Sequence, residues 1–143
     1  MKLIFEEYFN NLDNWNFEEG FIRNYELQYY ASNNVKFSNG LKIYGKKEKI
    51  RNKLYDCSSD DWRKNREFAE YTSSSINTKG KFEYGVLEVK AKIPTSDGSW
   101  PAIWLLGSEE KYPFCDEVDV MEYYMCGDSP SILANFMWLV KSN

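Results

Sequence analysis

Between residues 87 and 93 apolar and charged positions alternate strictly: Leu87, Val89, Ala91 and Ile93 fall on one parity, Glu88, Lys90 and Lys92 on the other. A period of two marks a half-buried β-strand, because successive side chains leave a strand on opposite faces. Turn signals recur at Ser38-Asn39-Gly40, Lys79-Gly80 and Ser96-Asp97-Gly98-Ser99, the punctuation of strands joined as hairpins. No segment sustains a helical period. The stretch from Leu54 to Tyr71 has room for one helical turn begun at Ser59 or Asp60, but reads first as a long connection. The pattern predicts an all-β chain.

Residues 116–124, DEVDVMEYY, set three carboxylates into an apolar, β-branched and aromatic run, where charge is costly to bury without a purpose. In a regular strand Glu117 and Asp119 share a face with Met121, while Val118, Val120 and Glu122 point the other way. One extra residue between Asp119 and Glu122, a β-bulge, would return Glu122 to the face of the other two acids and leave Val118 and Val120 buried beneath them. Two carboxylates on one cleft are the minimum equipment for cleaving a glycosidic bond. The same spacing also suits an amphipathic strand with one acidic, solvated face. Crowding three acids raises at least one pKa, which would let Glu122 keep a proton while Glu117 stays charged.

Upstream, residues 97–107 read DGSWPAIWLLG: a turn, then Trp100 and Trp104 in an apolar run. Four apart on a strand, the two indoles share a face and can stack on the C–H faces of sugar rings; packing in a core is the other fate of such a pair.

Taken in order, several blocks resemble glycoside hydrolase family 16, which includes laminarinases, mixed-linkage β-glucanases and agarases. RNYELQYY (23–30) resembles the family's early cleft-side strand, YTSSSINTKGKFEYGVLEVKAKIP (71–94) its central hairpin, and ILANFMW (132–138) the strand after the catalytic one, with SWPAIWLLG and EVDVME between. EVDVME has the E-x-D-x-x-E form of the laminarinase-like branch. The resemblance implies an antiparallel β-sandwich of jelly-roll, concanavalin A-like type. It makes Glu117 the nucleophile, Glu122 the general acid/base and Asp119 the carboxylate between them. It also places Asn24, Glu26, Trp100 and Trp104 along the non-reducing side of the cleft. Left to themselves, Asn24 could equally be a turn residue and Glu26 a solvated one. The implied substrate is a β-1,3 or mixed β-1,3/1,4 glucan. No cofactor is needed for the chemistry; a structural calcium is implied for many members, and of its usual contributors only the region around Glu7 is present. Members are commonly secreted, whereas MKLIFEEYFNN at the N-terminus reads as a first strand with no leader.

The family pattern continues for several strands beyond Asn143, and a jelly roll needs about eight strands in two sheets. The expectation is therefore one domain over residues 1–143, incomplete at its C-terminus: a fragment, a truncated product, or a fold finished by a second chain. Aromatic residues make up 17% of the sequence, including 11 Tyr and 5 Trp, which suits a β-rich protein with an amphipathic binding surface. A net charge of −4 gives no basis for nucleic-acid binding, and the basic run at 46–53, KKEKIRNK, reads as a solvated edge or loop, with anionic-polymer contact the lesser alternative. No stretch is long and apolar enough to span a membrane. With 0 histidines, no Ser-His-Asp triad, Cys-His pair or histidine-ligated zinc can form within the chain. Cys57, Cys115 and Cys126 form no C-x-x-C pair and read as free thiols, with a Cys115–Cys126 bridge the alternative. A carbohydrate-binding or lectin-like module, or an inactive fragment on the same sandwich, is the alternative to an enzyme; a pure binder has no need of Glu117 and Glu122 together.

Overall fold

The computed structural model describes residues 2–139, which form ten β-strands, one short 3-10 turn at Ser32–Asn34 and no α-helix. The chain divides into two compact units, one ending at Lys81 and the other beginning at Phe82.

The first unit holds β1 (Trp15–Phe17), β2 (Gln28–Tyr30), β3 (Val35–Phe37), β4 (Leu41–Ile43), β5 (Lys46–Arg51), β6 (Phe68–Ser73) and β7 (Ile76–Thr78). β6 is central, with β5 antiparallel on one side and β2 parallel on the other, so this sheet is mixed. β1 pairs with β7, and β3 with β4, both antiparallel. The β3–β4 hairpin turns at Asn39 and Gly40, both with positive φ, as the Ser-Asn-Gly signal predicts. The core comprises Phe21, Tyr29, Ala31 and Ala69, with Ile50 and Trp62 packed against it. A buried polar link joins the elements: the Asn34 amide donates to the Tyr44 carbonyl and to the Thr72 hydroxyl, each at 2.8 Å, and the Thr72 hydroxyl donates to Glu48. β5 is the edge strand of its sheet, its residues alternating between half-buried and exposed, in line with the solvated edge expected of 46–53.

Two expectations are corrected. The early strand expected over 23–30 is confined to Gln28–Tyr30; residues 24 and 25 form a turn, both with positive φ. Residues 54–67 form the expected long connection, a series of turns that includes one helical turn in which the Asn65 amide donates to the Asp61 carbonyl at 3.0 Å. Side chains here capture backbone amides two residues on, Asn52 to Leu54, Asp56 to Ser58, Ser59 to Asp61 and Asp61 to Arg63, which competes with helix. Buried Asn52 also donates to the Arg63 and Arg66 carbonyls at 2.8 and 3.0 Å, pinning both ends of the loop.

The second correction concerns residues 87–93, in the second unit, where the strict alternation is not matched by a strand. A strand exists only where neighbouring backbones pair, and pairing is not encoded in one segment's periodicity. The segment still meets the sheet: Leu87, Glu88, Val89, Ala91 and Ile93 line an open cavity of about 430 Å³ with Ile103, Val120 and Met121. Apart from this segment the unit is one antiparallel sheet in the order β10–β9–β8, built from β8 (Ala102–Leu106), β9 (Glu117–Cys126) and β10 (Ser129–Met137).

Candidate active site

β9 carries the three acids, and its pairing with both neighbours slips at one place. Against β10, Asp119 opposes Asn135 and Glu122 opposes Leu133, three residues against two. Against β8, Asp119 opposes Trp104 and Met121 opposes Ile103, two residues against one. The extra residue lies between Asp119 and Met121, which is a β-bulge at Val120. Glu117, Asp119 and Glu122 thus face Leu106, Trp104 and Ala102 on β8 and Met137, Asn135 and Leu133 on β10. Each neighbouring set is spaced by two, so all three acids project from one face. The other face bears Ile103, Leu105, Val118, Met121, Tyr123 and Phe136.

Burial does not follow the expectation for the valines. Val118 is half-buried and Val120 is 39% exposed, because the bulge takes Val120 out of the alternation. Asp119 is the buried member of the acid trio at 4% exposure, flanked by Trp104 and Asn135, while Glu117 and Glu122 are half-buried. The indole Nε1 of Trp100 donates to Glu122 Oε1 at 3.1 Å, fixing one carboxylate oxygen while the indole stays 55% exposed.

Two devices hold β9 in place. At its start, the Gly107 amide donates to the Asp116 carbonyl at 3.1 Å, and a Cβ on Gly107 would stand 1.7 Å from the Cys115 carbonyl oxygen. Only glycine admits this approach, which delivers Glu117 opposite Leu106. On the opposite face, the buried Tyr123 hydroxyl donates to the Thr95 carbonyl at 3.2 Å, tying β9 to the 82–95 segment. A two-residue turn at Gly127 and Asp128 then leads into β10. All three cysteines are free thiols; Cys115 and Cys126 stand at opposite ends of the ten-residue β9.

Asn24 and Glu26 belong to the other unit, on the turn before β2. Asn24 is exposed at φ 56°, and Glu26 is half-buried, accepting from the Tyr30 hydroxyl at 2.9 Å. Burial pushes the Glu26 carboxyl above its ordinary value, against the opposing pull of the Tyr30 hydroxyl and Arg23. Glu7, the residue tied to calcium by resemblance, accepts from the Phe9 amide at 2.6 Å and from Asn14 and Trp15 at 3.2 Å. Led by Asn14, these donors hold its carboxyl below its ordinary value. Both of its oxygens accept from N–H groups, and no cluster of three or more Asp, Glu, Cys or His among the described residues is placed to hold a metal. Sequence reasoning passed over Asn135, opposite Asp119 on the acid face; the signal was the one polar residue inside ILANFMW.

Comparison with known proteins bears on this arrangement. The model of glycosyl hydrolases family 16 matches residues 23–137. A glucan endo-1,3-beta-glucosidase A1 of Niallia circulans is 32% identical over 141 residues, covering 85% of this chain and 20% of that protein. A beta-glucanase of Rhodothermus marinus is 32% identical over 120 residues, covering 77% of this chain and 36% of that protein. A solved structure described as "Prominent members of the human gut microbiota express endo-acting O-glycanases to initiate mucin breakdown" superposes with a TM-score of 0.78 at 31% identity, over 95% of this chain and 59% of that one. The chain therefore spans about a fifth to a third of the length of these curated relatives. The fold is all-β, of the jelly-roll class, and the chain belongs to glycosyl hydrolases family 16.

Proposed function

We propose that the chain carries the reactive strand of a retaining, endo-acting glycoside hydrolase that cleaves β-1,3 or mixed β-1,3/1,4 glucan. The observation that carries this reading is the bulge at Val120, which sets three carboxylates on one sheet face with an indole bonded to one of them. In a double displacement, the Glu117 carboxylate attacks the anomeric carbon as the glycosidic C–O bond breaks, and Glu122 gives its proton to the departing oxygen. Water then gives a proton to Glu122 and displaces Glu117, restoring both groups. Trp100 would orient the Glu122 carboxyl, and Asp119, buried between the two, would set the field each of them feels. Trp100 and Trp104 supply stacking surface in the acid-bearing unit; Asn24 and Glu26, in the first unit, would be hydrogen-bonding residues by the family resemblance.

The glucanase names of the two relatives support the glucan substrate, and the net negative chain disfavours strongly sulfated polymers. The O-glycan-acting structural neighbour supports the second reading, an endo-acting O-glycanase. Reducing-sugar release from laminarin, mixed-linkage glucan, agarose, carrageenan and mucin separates them: preference for laminarin or mixed-linkage glucan supports the first, and preference for mucin or carrageenan overturns it. Glu117→Gln should bring turnover to background, since no glycosyl-enzyme can form. An active Glu117→Gln would end the mechanism.

A further inference from the structure

The turn from Arg23 to Glu26 adopts a conformation that tyrosine does not favour. Asn24 and Tyr25 sit at φ 56° and 53°, and the Glu26 amide donates to the Arg23 carbonyl at 3.2 Å. Two successive left-handed residues in a tight turn call for Asn-Gly. Asparagine meets the first requirement; tyrosine at the second position is strained where glycine would be relaxed. Core packing does not account for the exchange, because Tyr25 is 73% exposed. An unforced strained residue at an exposed tip is the kind of outlier from which function is inferred.

The ring is rigidly backed. Tyr25 stacks on Trp62 with centroids 4.7 Å apart and planes at 29°. Trp62 leans on Phe21 at 6.3 Å, and Phe21 meets Tyr29 edge-on at 5.5 Å inside the core. Arginines tie down both legs of the turn: Arg63 Nε donates to the Ile22 carbonyl at 3.0 Å, and Arg66 donates to the Glu26 carbonyl at 2.8 Å. A column of rings thus runs from the core to an open face on Tyr25.

We propose that this open face, backed by Trp62, is a stacking platform for a neutral pyranose ring of a glycan chain. The proposal rests on the glycan-acting reading above and extends it to two rings outside the acid-bearing sheet. A flat, amphipathic ring held in advance loses little freedom on binding and offers its apolar face to the C–H face of a sugar. The neighbouring cations are already engaged, Arg23 by Glu18, Arg63 by Asp61, and Arg66 by the Glu26 carbonyl and the Phe21 ring, so the surface does not ask for an anionic ligand.

The test is affinity electrophoresis of the full chain through gels containing laminarin, mixed-linkage glucan or mucin, with thermal melts alongside. Tyr25→Gly should melt no lower than the parent, since it relieves the left-handed strain, yet be retained about five- to tenfold less. Tyr25→Trp should keep or strengthen retention. If the parent is retained and Tyr25→Gly equally so, the platform is overturned while the glycan-acting reading stands. If the parent is retained by none of the three, the reading falls and the platform with it. A Tyr25→Gly chain that melts well below the parent makes the ring a packing element and overturns the proposal.

Discussion

Replacing Gly107 by alanine places a methyl group against backbone that cannot yield cheaply. The new Cβ would lie 1.7 Å from the Cys115 carbonyl oxygen and 2.8 Å from its carbon. Restoring ordinary contact needs a shift of about 1.5 Å, since contacts under about 3.2 Å are repulsive. The oxygen belongs to the chain entering β9, so the shift also strains the Gly107–Asp116 hydrogen bond. Overpacking typically costs about 1–3 kcal/mol, and a lost backbone hydrogen bond about 1 more. A loss of about 2–4 kcal/mol corresponds to a fall in Tm on the order of 10 °C for a chain of this size. Gly45 is the control: nothing lies within 4 Å of its virtual Cβ and its φ is not left-handed, so Gly45→Ala should be neutral or slightly stabilising. Differential scanning fluorimetry of the two variants beside the parent reads this directly. Equal melting of Gly107→Ala and Gly45→Ala would refute the account of how β9 is seated.

Asn52→Ala removes three hydrogen bonds, from Leu54 and to Arg63 and Arg66, and should cost about 2–4 kcal/mol, with limited proteolysis newly cutting within residues 53–66. Because burial raises the Glu26 pKa, the folded chain holds that proton more tightly than the unfolded chain. Its contribution is full below the ordinary value of 4.5 and is lost as pH rises through the folded value. Glu26→Gln should therefore gain Tm relative to the parent from about pH 4 to about pH 7; a constant difference would contradict it. Glu7 has the opposite sign: its lowered pKa stabilises above 4.5, so Glu7→Gln should lose Tm at neutral pH, and the gap should close on acidification. Glu122→Gln removes proton transfer worth about 10²- to 10⁴-fold, largely hidden on an aryl glycoside with a good leaving group, and azide should restore its turnover with retention. Equal losses on aryl glycoside and glucan would reverse the assignment of roles.

The acid face was legible because it is local: the parity of residues 117–122 fixes the faces, and three acids make sense together only with one extra residue. The Asn39-Gly40 turn was legible for the same reason, since its residue types specify its dihedrals. Neighbours distant in sequence decided the rest. Leu87 to Ile93 alternate like a strand but find no backbone partner, and Asn24-Tyr25 turns without the glycine that would announce it. The close approach of Gly107 to Cys115 lies beyond any short pattern.

The bulge also decides which changes of length the acid strand can absorb. Deleting Val120 would leave Glu-Val-Asp-Met-Glu, an unbroken alternation that still presents all three carboxylates on one side. Deleting Val118 instead would move Glu117 across the sheet from the other two. Deleting Met121 would act as deleting Val120 does, so the acid face survives the loss of either residue between Asp119 and Glu122, and a shortened chain lacking Val120 should keep it where one lacking Val118 loses it. A change of length that spares the acid face is therefore confined to Val120 and Met121, both of which line the cavity beside Ile103.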